Sequence, residues 1–259
     1  MWMGMCAIFA HLKQVFDETK PEIVLHLAAQ PIVRESYRDP VGTYAANVMG
    51  TVHVLECARQ CESVRSLVNV TTDKVYENKE WEYGYRENDP LDGYDPYSNS
   101  KSCSELVTHS YEKSFLKDMD IAVSTARAGN VIGGGDFAAD RIIPDCVRAV
   151  SGGKKGLQFG NPHSTRPYQH VLEPLGAYLL IAEEQYQDSR KAGSYNVGPD
   201  DRSCLTTGET CRPVLHSMGK RGSMGKLSVR EVHHEANFPQ TGLFPYSKPA
   251  GLETSLAGG

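Results

Sequence analysis

Three short segments typical of buried strands, separated by stretches of helical periodicity, constrain the fold of this chain most strongly. The segments lie at residues 23–27, a continuous apolar run, and at 66–71 and 121–125, and each is too short to form a helix of ordinary length. Helical spacing of apolar residues is found between them, at 41–61 and 97–113. Strands that alternate with helices in this way build a parallel sheet covered on both faces. The sequence therefore predicts an α/β fold with a doubly wound parallel sheet.

The first apolar run lacks the neighbours that such a sheet would normally give it. No Gly-rich turn of the G-x-G-x-x-G type precedes Leu12, and no acidic residue precedes Asp17. A sheet of this kind usually opens with a strand and a phosphate-binding turn. We therefore expect a sheet without its first strands, in which residues 23–27 form an apolar edge. His26 within this run is expected to be a hydrogen-bonded core residue rather than a ligand.

Polar residues gather where two of the predicted elements meet. Thr72-Asp73-Lys74 follows the second of the three segments, and ligands collect at the carboxyl ends of parallel strands. Tyr97 and Lys101 begin the next helix and lie one turn apart on one face. A nearby ammonium favours the ionised form of a tyrosine, which can then accept a proton from a substrate hydroxyl. The alternative is a surface Tyr and Lys on an amphipathic helix.

Composition excludes several classes of protein. The chain has 259 residues with a net charge of −5 and no basic block, which gives no support to nucleic acid binding. No apolar run reaches the roughly 18 residues of a membrane span, so we predict a soluble, cytoplasmic protein. Cys57 and Cys61 lie four residues apart on a predicted helix. We interpret them as small apolar core residues rather than a metal-binding pair, and predict no metal site.

The second half of the chain has a weaker pattern. Helices are predicted at 142–150 and 175–185 and a strand at 194–197, whereas residues 30–40 and 77–96 are predicted as loops. Gly133-Gly134-Gly135 follows a strand without the Lys-Ser/Thr of a phosphate cradle, which favours a flexible substrate loop. We divide the chain into 1–130 and 131–259. Periodicity fails after about residue 205, and much of that tail is expected to be poorly ordered.

Several segments carry a resemblance to a known family. His26-Leu-Ala-Ala-Gln-Pro31, Thr72-Asp73-Lys74, Tyr97-x-x-x-Lys101 and Arg166-Pro-Tyr-Gln-His-Val-Leu-Glu-Pro174 occur in the order found in extended short-chain dehydrogenases/reductases. Within that superfamily the chain resembles the CDP-glucose 4,6-dehydratases, since the dTDP-glucose enzymes carry Asp-Glu where this chain has Asp73-Lys74. Tyr168 replaces an expected tryptophan. His233-His234 lies in a family-like patch that we interpret as structural rather than metal-binding.

The resemblance implies a Rossmann-like NAD-binding part in residues 1–130, followed by a smaller part that binds a nucleotide sugar. The residues that it implies for NAD binding are Leu27, Ala28, Ala29, Gln30, Thr71, Tyr97 and Lys101. Asn130 and Arg166 are implied to hold the diphosphate of the substrate, for which an arginine fork is well suited. Residues 41–61 and 97–113 match the helices that pair two subunits in the superfamily, which implies a homodimer.

The implied reaction converts CDP-glucose to CDP-4-keto-6-deoxyglucose. Tyr97, supported by Lys101, takes the proton of the 4-hydroxyl while hydride passes to NAD, and Thr72 hydrogen-bonds that hydroxyl. Lys74 removes the proton from C5, Asp73 helps the 6-hydroxyl to leave as water, and the hydride returns to C6. Two alternatives remain open: a nucleotide-sugar 4-epimerase or reductase of the same fold, and an inactive, truncated remnant.

Overall fold

The computed structural model describes residues 9–79, 81, 84–151, 165–199 and 204–211. The α-helices are α1 Phe9–Thr19, α2 Val33–Arg38, α3 Pro40–Tyr44, α4 Gly50–Arg59, α5 Pro96–Tyr111, α6 Ile142–Ser151 and α7 Leu172–Gln187. The strands are β1 Ile23–His26, β2 Ser66–Thr72, β3 Ala122–Ala128, β4 Asn130–Ile132, β5 Thr165–His170, β6 Ser194–Val197 and β7 Cys204–Thr206. Two π-helical segments, Ala45–Met49 and Glu112–Leu116, continue α3 into α4 and extend α5. Three 3₁₀ turns span Asp73–Val75, Lys117–Met119 and Ser189–Lys191.

The main sheet has four parallel strands in the order β1-β2-β3-β6. Every residue of β2 and β3 is buried except Val70, which is half-buried. Leu67 and Val123 pack against the cluster formed with α1 and α4, whereas Val68 and Ala126 pack against α7. Neighbouring residues of one strand thus enter cores on opposite faces, as the pleat requires. The prediction of a doubly wound parallel sheet is confirmed.

Strand β1 forms one edge of this sheet, as the sequence predicted. It pairs only with β2 among the described strands, and Ile23, Leu25 and the following Leu27 are 45%, 36% and 46% exposed. His26, in contrast, is buried and its Nε2 lies 3.2 Å from Thr51 Oγ1. Burial, with help from the Lys101 charge, lowers the pKa of His26 to about 3, so its ring is neutral. The interpretation of His26 as a hydrogen-bonded core residue is confirmed.

Several predicted boundaries were wrong. Residues 30–40 were predicted as a loop but contain helix α2. The predicted strand 121–125 extends to Ala128, because pairing with β2 and β6 continues along its whole length. The helix predicted at 41–61 is interrupted by the π-helical segment Ala45–Met49. Because β3 extends to Ala128, Arg127 lies inside a central strand.

A second, three-stranded sheet lies beyond residue 130 and was not predicted. Its order is β4-β5-β7, with β4 and β5 parallel and β5 and β7 antiparallel. Cys146 of α6 and Cys211, which follows β7, are buried with their Sγ atoms 3.2 Å apart. The division of the chain at residue 130 stays a prediction. The expectation of a poorly ordered tail and the patch with His233-His234 lie outside the described residues.

The structure also bears on the predictions made for Cys57 and Cys61, for metal sites and for membrane spans. Cys57 and Cys61 are buried in the apolar cluster with Leu55 and Phe16, which confirms their interpretation as core residues. Within the described ranges, no group of three or more His, Cys, Asp or Glu residues is arranged to hold a metal. None of the helices described is long and apolar enough to cross a membrane.

Candidate active site

The carboxyl end of β2 turns sharply and buries an acid. Thr72 is the last residue of the strand, and its Oγ1 donates a hydrogen bond to Asp73 Oδ1 at 2.9 Å. Asp73 begins a 3₁₀ turn and is only 5% exposed. Burial raises the pKa of Asp73, against the opposing effects of Lys74, Thr72 and Arg166. A carboxyl group with a raised pKa keeps its proton more readily, which suits a general acid.

Three residues at its start, Gly93, Asp95 and Pro96, determine where helix α5 begins. Asp95 is its N-cap and accepts a hydrogen bond from Ser98 N at 3.0 Å, and Pro96 occupies the first turn. Gly93 packs so tightly against this turn that a Cβ there would lie 2.4 Å from the carbonyl carbon of Ser98. These contacts fix Tyr97 in the first turn of the helix, beside the end of β2.

Tyr97 meets Thr72 and Asp73 directly. The Thr72 side chain and the Tyr97 phenol share a hydrogen bond, and the Asp73 charge also acts on the phenol. Burial raises the pKa of Tyr97 to about 12, while the Thr72 hydrogen bond and the Arg141 charge act in the opposite direction. The predicted effect of Lys101 on the phenol stays a prediction. Desolvation outweighs the Thr72 hydrogen bond and the Arg141 charge, so Tyr97 is protonated at neutral pH.

Lys101 lies one turn further along α5 and points at the strand rather than at the phenol. Its Nζ donates a hydrogen bond to the Val70 carbonyl oxygen at 3.0 Å, and the residue is 3% exposed. Burial lowers the pKa of Lys101 to about 8, whereas Glu105 acts to raise it. The ammonium form is therefore only modestly favoured at neutral pH.

The predicted substrate residues lie on the second sheet. Arg166 belongs to β5 and is close enough to Asp73 for its charge to lower the pKa of that acid. Asn130 begins β4 and is paired in register with Tyr168, two residues beyond Arg166. Lys74, half-buried, follows Asp73 and acts on its charge. The structure thus brings Thr72, Asp73 and Tyr97 together and places Arg166 nearby, whereas their chemical roles stay predictions.

The loop after β1 holds the remaining predicted cofactor residues. Leu27 and Ala28 are exposed, Ala29 is half-buried and Gln30 is buried. The Asn47 side chain accepts a hydrogen bond from Gln30 N at 2.8 Å and donates one to Gln30 O at 3.1 Å. The Gln30 side chain, in turn, bonds Thr43 and the backbone of Ile32. Gln30 therefore shapes this loop, and its backbone and side chain are engaged within the protein.

Sequence reasoning missed two residues that surround Tyr97. Arg141 precedes α6 and contributes a positive charge at the phenol. Tyr178 of α7 is buried, and burial together with the neighbouring Tyr97 raises the pKa of its phenol. Neither residue belongs to a motif that the sequence analysis identified, and both are far from Tyr97 along the chain. Only the packing of α7 across β2 and β3 brings Tyr178 to the site, so no local signal reveals it.

The sequence analysis also missed a buried ion pair next to the site. Arg127 of β3 binds both carboxylate oxygens of Glu105, with Nε–Oε1 and Nη2–Oε2 distances of 3.1 and 2.9 Å. Its Nη1 donates to Tyr76 Oη at 2.7 Å, and Tyr76 Oη donates to Asn196 Oδ1. Glu105 also accepts a hydrogen bond from Thr71. The i+4 spacing of Glu105 after Lys101 was the available signal in the sequence.

The fold and this arrangement define a class of protein. Parallel strands with helices on both faces, a Tyr-x-x-x-Lys helix and a Thr-Asp turn at the adjacent strand end are the parts of a short-chain dehydrogenase/reductase. Residues 9–223 match the family model described as GDP-mannose 4,6 dehydratase. The chain belongs to that family.

Relatives of known name are consistent with this assignment. The chain is 48% identical over 204 residues to the CDP-glucose 4,6-dehydratase of Salmonella typhimurium, covering 76% of this chain and 56% of that protein. It is 28% identical to the dTDP-D-glucose 4,6-dehydratase of Dictyostelium discoideum, over 73% of this chain and 44% of that protein. The chain therefore spans about half the length of these curated relatives.

Solved structures show the same fold. The UDP-glucose 4-epimerase of Thermus thermophilus in complex with NAD superposes with a TM-score of 0.70 at 26% identity, over 83% of this chain and 68% of that one. A double mutant of dTDP-glucose 4,6-dehydratase from Streptomyces venezuelae, solved with NAD, superposes with a TM-score of 0.70 at 25% identity. That match covers 83% of this chain and 62% of the other.

Proposed function

We propose that the protein to which this chain belongs is an NAD-dependent nucleotide-sugar 4,6-dehydratase that acts on CDP-glucose. The observation that carries the proposal is the meeting of Thr72, Asp73 and Tyr97 at the carboxyl end of β2. The 48% identity to a CDP-glucose 4,6-dehydratase supports the choice of cytidine nucleotide. The Asp73-Lys74 pair supports dehydration over epimerisation, because an epimerase needs no base at C5.

The residues present fit the nicotinamide ribose end of NAD. Lys101 is buried one helical turn from Tyr97 on the same face of α5, so this face offers an ammonium and a phenol for the ribose hydroxyls. Leu27 and Ala28, which follow β1, are exposed and leave room for a ligand at the same edge of the sheet. When bound, NAD supplies a hydride acceptor and later returns the same hydride.

Each side chain of the cluster then has a separate task. Tyr97, in its ionised form, accepts the proton of the 4-hydroxyl, and Thr72 positions that hydroxyl through its own hydroxyl group. Asp73, whose pKa is raised by burial, donates its proton to the departing 6-hydroxyl, which leaves as water. Lys74 removes the C5 proton, which the neighbouring 4-ketone has made acidic, and returns a proton to C5 when C6 is reduced. The Arg166 fork binds the diphosphate of the nucleotide sugar.

Product analysis tests the proposal. The protein is incubated with CDP-glucose and NAD, and the nucleotide sugar is examined by mass spectrometry and NMR. A product lighter by one water, with a 4-keto and a C6 methyl group, supports dehydration. A product of unchanged mass with an inverted C4 supports the epimerase alternative, and CDP-glucose recovered unchanged with no NAD binding by calorimetry supports the remnant alternative.

Asp73→Asn is expected to abolish turnover yet stabilise the fold at neutral pH. Because burial raises the folded-state pKa of Asp73, the stability of the protein falls as pH rises from the unfolded pKa through the folded one. Within and above that window the parent protein loses stability through the ionisation of Asp73, and an Asn, which does not ionise, avoids this loss. Turnover should fall at least about 100-fold through loss of the acid. Thermal unfolding should give a higher midpoint for the variant at pH 7 and a smaller difference at pH 3.

Asp118→Asn is the matched control for this comparison, because Asp118 is exposed and lies in the 3₁₀ turn Lys117–Met119, away from the start of α5. Its unfolding midpoint and turnover should stay close to those of the parent protein. An Asp73→Asn variant that is less stable at pH 7, or that keeps its turnover, would contradict the assignment of Asp73 as a buried general acid.

We also propose that the protein is a homodimer, in which the region of α3 to α5 pairs with its counterpart. Val41, Met49 and Leu106 on these helices are 79%, 47% and 54% exposed, which is unusual for large apolar side chains. Leu106→Glu is expected to shift the protein from dimer to monomer in sedimentation velocity, because it buries a charge at the interface. Glu112→Gln, a change of charge in the following π-helical segment, is the control. A monomeric parent protein would overturn this proposal.

A further inference from the structure

Helix α5 contacts the end of β2 with three residues rather than two. Tyr97, Lys101 and Glu105 follow one another at successive turns, with a spacing of four residues. They contact three consecutive residues of the strand: Tyr97 bonds Thr72, Lys101 bonds the Val70 carbonyl, and Glu105 accepts from Thr71. The functional face of the helix therefore reads Tyr-x-x-x-Lys-x-x-x-Glu.

Glu105 is held in its carboxylate form by the groups around it. It is completely buried, and both of its oxygens are bound by Arg127, which is itself 1% exposed. The Thr71 hydroxyl supplies a further hydrogen bond to Glu105. Paired and hydrogen-bonded in this way, a buried carboxylate remains charged.

Titratable and polar groups from each neighbouring element surround Lys101. Glu105 lies on its own helix, one turn away, and Tyr97 lies one turn in the other direction. His26 of β1 is close enough for the Lys101 charge to lower its pKa, and β2 presents the Val70 carbonyl oxygen. Arg127 of β3 forms an ion pair with Glu105. Among these groups Glu105 is the only one that carries a negative charge at neutral pH, since His26 and Tyr97 are neutral.

We propose that Glu105 is a positioning residue that keeps Lys101 in its ammonium form and aligns α5 with the carboxyl end of β2. The ammonium form is the one that can donate hydrogen bonds to a ribose, so the importance of Glu105 for catalysis rests on the proposed function of Lys101. The electrostatic coupling of the two side chains does not depend on that function, because it is a property of the folded chain. Burial alone lowers the pKa of Lys101, and Glu105 limits that decrease.

The experiment measures the titration of Lys101 directly. The protein is labelled with lysine carrying ¹³C at Cε, and the ¹³Cε chemical shift is followed with pH. Lys101→Met identifies the signal, which should titrate near pH 8 in the parent protein. Glu105→Gln keeps an oxygen acceptor for Thr71 but removes the charge. Its Lys101 midpoint should fall by about 1 pH unit, the effect expected of one opposite charge at this separation.

The double variant Glu105→Gln/Arg127→Met covers the case in which Glu105→Gln alone does not fold. It removes both partners of the buried ion pair, so no unpaired charge remains. Its Lys101 midpoint should also fall. Gln185→Leu is the control for general loosening, because Gln185 is equally buried and hydrogen-bonded but contacts Ser66, Leu67 and Ser124 instead.

Two results would overturn the proposal: a Lys101 midpoint unchanged in whichever Glu105 variant folds, or the same decrease in Gln185→Leu. The measurement needs neither substrate nor turnover. If the midpoint shifts while CDP-glucose is not converted, the coupling stands and the proposed function fails. If CDP-glucose is converted while the midpoint does not move, the proposed function stands and the role of Glu105 fails.

Discussion

Tyr97→Phe is expected to reduce the rate of CDP-glucose dehydration by about 10³-fold, with little effect on folding. The phenol oxygen is the only atom removed, and it is the proposed acceptor of the 4-hydroxyl proton. Positioned acid–base groups contribute about 10²–10⁴-fold to enzymatic rates. The hydroxyl shares a hydrogen bond with Thr72 in a partly exposed setting, so its loss should cost about 1 kcal/mol of stability. Turnover is measured by NMR of the nucleotide sugar, and stability by urea unfolding.

Tyr94→Phe is the matched control, because it removes the same atom from a tyrosine three residues earlier that is 75% exposed. Its turnover should equal that of the parent protein. The pH dependence gives a second readout. Because burial raises the pKa of Tyr97 to about 12, the fraction of ionised phenol increases with pH throughout the neutral range, and turnover should rise with it. Undiminished turnover in Tyr97→Phe would remove the phenol from the mechanism.

The central fold could be predicted because its signals are local. The segments that became β2 and β3 carry apolar residues on both faces, and the structure buries both faces against helices. The Pro96 and Asp95 cap that precedes Tyr97 is likewise a short-range signal for the start of a helix. The predicted contact of Tyr97 with the end of β2 follows from these two elements, because parallel strands place their carboxyl ends at one edge.

The features that were missed depend on distant residues. Strands β4, β5 and β7 are short and contain polar residues and Pro167, and they are ordered by pairing across the chain rather than by their own pattern. The raised pKa of Tyr97 comes from its burial in the folded chain, which sequence spacing cannot show. The hydrogen bond from Lys101 to the Val70 carbonyl was missed for a similar reason, since spacing on a helix does not report which acceptor an ammonium group meets.

Arg127→Met is expected to be the most destabilising substitution in the described part of the chain, at about 3–5 kcal/mol. Arg127 is 1% exposed and donates four hydrogen bonds, two to Glu105, one to Tyr76 and one to the Glu87 carbonyl oxygen. Methionine fills the space of the alkyl chain but leaves the Glu105 carboxylate buried without its cation. The free energy of unfolding is measured by urea denaturation monitored by circular dichroism.

The comparison with two further variants separates charge from packing. Adding Glu105→Gln to Arg127→Met removes the stranded carboxylate, so the double variant should recover a large part of the lost stability. Arg38→Met breaks a surface pair with Glu35, at 3.3 Å, and should change stability by less than about 1 kcal/mol. If the double variant were no more stable than Arg127→Met, the loss would come from packing around the guanidinium. Glu105 would then not be charged in the folded protein, and its proposed influence on Lys101 would have no source.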